Sequence, residues 1–177
     1  VLFILVQGLI FAAGKNLADI KTLKFDVVEK TTIKSKKREL TYKIDFILPN
    51  KIKKEVIAPK LNKGEIYMYD YSANKKSVYL PMFNETKESE IVDDENRIIK
   101  AINKIIEEEK TNKNFKQKYN AKKAQSLNID KQISITISTY LEVDGYIFPE
   151  TVQIKDSGTK IADVKISNLQ INPKIEM

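Results

Sequence analysis

From Leu23 onward, apolar side chains alternate with polar ones: Leu23, Phe25 and Val27 are separated by Lys24 and Asp26. A period of two places the apolar set on one face of a strand and the polar set on the other. "ELTYKIDFILP" holds the period longer, with Leu40, Tyr42, Ile44, Phe46 and Leu48 on one side and Thr41, Lys43, Asp45 and Ile47 on the other. The charges sit only on the second side, so the first faces inward. Pro49 ends the run because it has no amide to donate to a ladder. "KIKKEVIAP" predicts a shorter strand closed by Pro59. "GEIYMYDYSANKKSVYLP" predicts a hairpin turning at "SAN", with Tyr67, Tyr69 and Tyr71 on one face and Ile66, Met68 and Asp70 on the other. Periodicity leaves open which of these faces is inward. A tyrosine has an apolar body and one polar handle, which suits a sheet surface, a base-stacking platform or the wall of a lipid-facing cavity.

The period then changes. In "IVDDENRIIKAINKIIEEEK", Ile98, Ile99, Ile102, Ile105 and Ile106 recur at helical spacing and make one apolar face, with Asp93 or Asp94 as the expected cap. The opposite face is charged, so this helix lies over something apolar. "TNKNFKQKYNAKKAQ" reads as a loop or an edge strand. Strands resume through Ile133, Ile135 and Ile137, and Asp144-Gly145 and "KDSGTK" mark tight turns. A last strand carries Ile161, Val164, Ile166 and Leu169. The order is meander, helix, meander: an α+β chain with one antiparallel sheet long enough to curl around a helical insert.

Composition narrows the chemistry. The 177 residues suit one domain. No histidine and no cysteine are present, which excludes His-activated nucleophiles, thiolates and Cys/His zinc sites. The acidic runs at 93–95 and 107–109 read as solvated helix-end charge, so no catalytic residue, metal ligand or cofactor is expected. The net charge is +7, but only Arg38 and Arg97 of the 31 basic residues are arginines; arginine is the better residue for bidentate phosphate contacts, and no nucleic-acid partner is expected. "VLFILVQGLIFAAG" carries no charge and ends in small residues, with Ala12 and Gly14 at the minus-three and minus-one positions of a cut before Lys15. It is too short to span a bilayer and reads as the core of a secretory signal. The expected division is a signal over 1–14 and one domain over 15–177, working outside the cytoplasm.

The order of pieces resembles the periplasmic lipoprotein carriers of the Lol sorting system and their relatives. The resemblance rests on the long strand ending in Pro49 and the basic strand after it, on the glycine-led "GEIYMYD", and on the closing pair "DGYIFPETVQIKDSGTKIADVKI". It departs from the family at Leu48, where the enterobacterial carrier has an arginine that latches the lid, and at Tyr71, where proline is common. The resemblance implies a strongly curved, incomplete β-barrel with a helical lid or insert. It also implies a hydrophobic cavity that shelters lipoprotein acyl chains on the way to the outer membrane, without bond chemistry. Phe25, Tyr42, Ile44, Phe46, Met68, Ile98, Ile102, Ile105 and Ile106 would line that cavity. Periodicity alone fits a packed core equally well. Implied partners are acyl chains of lipoproteins or other lipids, an inner-membrane donor complex and an outer-membrane acceptor, with the carrier monomeric. The alternative is a periplasmic lipid- or glycolipid-binding or envelope-stress sensing module with no transport role.

Overall fold

A computed structural model describes residues 14–33, 35–92 and 96–177. The expected signal lies outside these residues apart from its last glycine, Gly14. After a 3-10 turn at Leu17–Asp19, six strands follow: β1 (Thr22–Ile33), β2 (Lys36–Ile47), β3 (Lys51–Ala58), β4 (Ile66–Asp70), β5 (Lys75–Leu80) and β6 (Glu85–Glu90). Two helices come next, α1 (Arg97–Thr111) and α2 (Lys113–Asn120), and then β7 (Gln125–Asn128), β8 (Ile133–Val143), β9 (Tyr146–Asp156) and β10 (Thr159–Ile171).

The strands form one antiparallel sheet in the order β6-β5-β4-β3-β2-β1-β10-β9-β8-β7. Two meanders are therefore joined side by side through the β1–β10 pair, and the helices carry the chain from one edge of the sheet to the other. The isoleucine face of α1 shares one core cluster with side chains of both meanders, so the sheet curls around the insert. β6 and β7 do not pair, so the curve stays open as an incomplete barrel with a helical insert.

The inner face follows the predicted alternation. Leu23, Phe25, Val27, Tyr42, Ile44 and Phe46 are buried, and they join Ile98, Ile99, Ile102 and Ile105 of α1 in one continuous cluster. The outer face is polar: Lys24 pairs with Asp45 at 3.6 Å, and Lys51 with Asp70 at 3.3 Å. The two predicted tight turns take left-handed backbone at both central residues, Asp144 and Gly145 (φ 52° and 80°) and Ser157 and Gly158 (φ 48° and 81°). That conformation matches the twist of the flanking strands.

One expectation needs correction, and one strand was not expected. "TNKNFKQKYN" is a helix, not a loop or strand: Phe115 and Tyr119 sit four residues apart on one buried face, and the Asn112 side chain caps the first turn by accepting from the Phe115 amide. β6, "ETKESE", has no apolar residue and all six side chains are exposed, so it left no periodic signal. It forms because β5 offers an open edge, and its charges protect the new edge from further pairing. Asp93 and Asp94, the expected caps, lie outside the described residues, and α1 begins after Asn96.

Candidate functional site

The ladder registers lay out the inner wall row by row. One row runs Leu23, Phe46, Ile52, Tyr69, and the next runs Phe25, Ile44, Lys54, Tyr67, Val78. The tyrosine face is therefore the inward one. Tyr69 is buried in the core, Tyr67 packs at its margin, and Tyr71 stacks on Tyr69 with ring centroids 6.2 Å apart. Met68 is the correction among the expected wall residues. Its row is Lys24, Asp45, Lys53, Met68, Ser77, Glu88, so it lies on the outer face with the charges. A period of two cannot put Met68 and Tyr69 on the same side. The other expected residues, Phe25, Tyr42, Ile44, Phe46, Ile98, Ile102, Ile105 and Ile106, are brought together in one cluster.

Helix α1 seals one end of this wall with its isoleucine face. Two side-chain hydrogen bonds fasten it to the sheet. Asn103 Nδ2 donates to the carbonyl of Pro49, next to Leu48, at 3.1 Å, and Asn96 Nδ2 donates to the Tyr71 hydroxyl at 3.0 Å. Beyond α1 the chain is clasped by Lys116 Nζ, which lies 2.7 Å from the buried carboxylate of Glu109 and 2.7 Å from Asn16 Oδ1. Tyr119 in α2 donates to the Ile147 carbonyl at 3.2 Å and meets the edge of the Tyr140 ring. Lys15, the expected first mature residue, donates its backbone N–H to the Gly145 carbonyl at 2.9 Å. The acidic run at 107–109 holds lysines: Lys104 lies 2.9 Å from Glu107 and 3.3 Å from Glu108.

At the other end of the wall the inner face is open. Arg38, Leu40, Lys54, Val56, Asn62, Glu65, Tyr67 and Tyr69 surround a basin of about 290 Å³. Leu40, Val56 and Tyr67 give it apolar walls. Glu65 accepts from the Tyr67 hydroxyl at 2.7 Å and from Asn62 Nδ2 at 2.9 Å, so both its oxygens are engaged. Deeper in, the Tyr42 hydroxyl donates to Glu29 Oε2 at 2.8 Å; burial and, after it, the Glu29 charge push the Tyr42 phenol well above its ordinary range. The Lys54 ammonium stands 4.2 Å from the Tyr42 ring centroid and 5.8 Å from that of Tyr67. At the rim, Leu61, Met82 and Phe83 expose large apolar side chains around a shallow depression that shares Asn62 and Glu65 with the basin.

Sequence reasoning missed Arg38, Leu40, Lys54, Val56, Asn62 and Glu65 as basin residues. The signal for Lys54 was present: in "KIKKEV" it has the parity of Ile52 and Val56, an inward position for a lysine.

An open antiparallel half-barrel holding a helical insert is a recognisable class of fold, and solved structures share it along most of their length. A LolA superfamily protein from Nitrosomonas europaea superposes with a TM-score of 0.57 at 9% identity, covering 89% of each chain. A DUF1329 family protein from Desulfovibrio piger gives 0.56 at 9% identity, covering 90% of this chain and 89% of its own. A domain assigned to outer membrane lipoprotein sorting, from Vibrio parahaemolyticus, gives 0.50 at 11% identity over 88% and 86%. The fold is thus LolA-like. No protein-family model matches the sequence, and no curated protein matches it.

Proposed function

We propose that the protein is a periplasmic carrier that shelters acyl chains, those of a lipoprotein in the first instance, between the inner wall of the half-barrel and α1. The observation that carries this reading is that the apolar face of α1 and the apolar inner wall of the half-barrel meet in one cluster, and that the inner face continues beyond it into an open basin where Leu40 and Tyr67 stand among polar side chains. Each methylene moved from water to such a wall gains about 0.8 kcal/mol, so an exposed acyl chain has a strong reason to enter. Admitting several chains requires α1 to swing away from Phe25, Ile44 and Phe46, and the asparagine bonds that fasten it are of a strength that ligand binding can replace. The apolar rim of Leu61, Met82 and Phe83 suits contact with a membrane during loading or release. Carriage of this kind makes and breaks no covalent bond, and the acidic residues serve as ion-pair partners for lysines. Export with cleavage before Lys15, an inner-membrane donor and an outer-membrane acceptor complete the proposal.

The test is uptake of a fluorescent long-chain acyl probe by delipidated protein. Saturable binding at one equivalent is expected. Absence of saturable binding would contradict the carrier reading and leave α1 as an ordinary core helix.

A further inference from the structure

We propose that the protein docks on anionic lipid bilayers through the β3–β4 and β5–β6 turns, with Leu61, Met82 and Phe83 entering the headgroup layer and neighbouring basic side chains resting on lipid phosphates. The inference rests on the carrier reading, in which loading or release takes place at a membrane, and deepens it by naming the lipid class.

Leu61, Met82 and Phe83 are 76%, 70% and 67% exposed, so each leaves most of a large apolar side chain in water. They stand together, with Leu80 and Pro81, around one shallow depression of about 140 Å³. Fixed backbone holds them there. In the first turn the Gly64 amide donates to the Val56 carbonyl at 2.8 Å, and the Val56 amide to that of Glu65 at 2.9 Å. In the second, the Phe83 amide donates to the Leu80 carbonyl at 3.1 Å and the Tyr79 hydroxyl to Asn84 Oδ1 at 3.1 Å. The turns also touch: Gly64, at a φ of 86° that favours glycine, is seated where a Cβ would lie 3.4 Å from Pro81 Cγ. A contiguous apolar patch kept out of the core marks a contact surface. Its side chains project from the tips of turns, and the depression between them is too small to seat a helix. A bilayer admits such tips at the boundary between headgroups and chains.

Charge selects the lipid. Lys60 and Lys63 flank Leu61 in the same turn, and the β1–β2 hairpin brings exposed Lys36, Lys37 and Arg38 to the same end of the sheet. Arg38 borders the basin with Asn62, and Asn62 also borders the apolar depression, so hairpin and turns are neighbours. Among the described residues, Lys36, Lys37, Lys60 and Lys63 enter no ion pair. The acids that follow these segments are engaged: Glu39 lies 3.4 Å from Lys30, Glu85 lies 3.6 Å from Lys87, and Glu65 accepts from Tyr67 and Asn62. Basic side chains beside an apolar tip supply the two signals, charge attraction and insertion, that stable peripheral binding to anionic lipid takes.

The chain contains no tryptophan, so Phe83→Trp places a single fluorescent reporter on the patch. Val92→Trp places one at another exposed position, beyond the opposite end of β6. With vesicles of phosphatidylcholine and phosphatidylglycerol in equal parts, the emission of Phe83→Trp should shift to the blue and that of Val92→Trp should not. Partition into these vesicles should exceed that into pure phosphatidylcholine by about tenfold, and the excess should fall away at high salt. Changing Lys60→Gln together with Lys63→Gln should remove most of that excess, while Leu61→Ser with Met82→Ser should weaken binding to both vesicles. All four positions are exposed, so the core is untouched. Equal partition into the two vesicle types would overturn the anionic selectivity. A blue shift in both reporters would mean indiscriminate adhesion and overturn the docking surface. No shift at Phe83→Trp, or one that appears without vesicles as the chain self-associates, would overturn it as well. Docking by protein that takes up no acyl probe would keep this inference and remove the carrier reading, and acyl uptake without docking would do the reverse.

Discussion

Asn103 of α1 reaches the carbonyl oxygen of Pro49 at 3.1 Å, tying the middle of the helix to the turn between β2 and β3. Asn103→Ala should cost about 0.5–1.5 kcal/mol of stability, the net worth of one hydrogen bond. The same change should speed uptake of an acyl probe, because the closed state loses a bond that the open state never had. Stopped-flow fluorescence on the two proteins checks this, and an unchanged uptake rate would show that α1 does not gate the wall.

The two ends of the inner wall should respond differently to truncation. Phe46 is fully buried between Leu23 and Ile52, so Phe46→Ala should cost about 3–5 kcal/mol by leaving a void. Leu40 is only partly buried at the basin, and Leu40→Ala should cost about 1 kcal/mol while weakening acyl-probe binding. Denaturant unfolding beside probe titration separates the two effects. Equal losses of stability would mean that the basin is an extension of the core.

Much of this wall was legible before any coordinates, and the reason is local. Strand β2 states its inward set by strict alternation, and α1 states its own by isoleucines at helical spacing. Met68 was misplaced because a methionine between tyrosines carries no sign of which face is wet; only pairing with Lys53 and Ser77 decides it. β6 was invisible because its residues pair through the backbone and bury nothing. α2 was hidden in a lysine- and asparagine-rich run whose whole apolar signal is Phe115 and Tyr119. The basin depends on where α1 stops covering the sheet, which no local pattern encodes.

Alkaline pH should weaken the fold through two buried phenols. Burial first, and then Glu29, pushes Tyr42 up; burial first, and then Tyr140 and Glu109, pushes Tyr119 up from the ordinary tyrosine value of 10.0. Above that value the unfolded chain releases protons that the native state keeps. The stability these phenols confer is therefore complete below pH 10 and is lost as pH rises beyond it, by up to about 1.4 kcal/mol per pH unit for each proton. Tyr42→Phe should flatten that decline by the share of one proton. Urea midpoints measured on either side of pH 10 read the slope, and an unaltered slope in the variant would show that Tyr42 ionises freely in the folded protein.

Helix α2 depends on its cap. Asn112→Ala removes the side-chain acceptor for the Phe115 amide at 3.0 Å and should cost about 1 kcal/mol, whereas Asn112→Asp should keep most of it. Thermal unfolding of the pair checks the order, and equal losses in the two variants would place the role of Asn112 elsewhere.

The central claim, that the half-barrel holds acyl chains, is tested most directly by native mass spectrometry of the protein isolated from the cell envelope without detergent. The account predicts a second charge-state series, heavier by the mass of a lipid or acylated species, that collapses to the bare chain on collisional activation. It also predicts that this series shrinks in the Leu40→Ala variant. A spectrum containing the bare chain alone, from protein that also fails to take up an acyl probe, would contradict it.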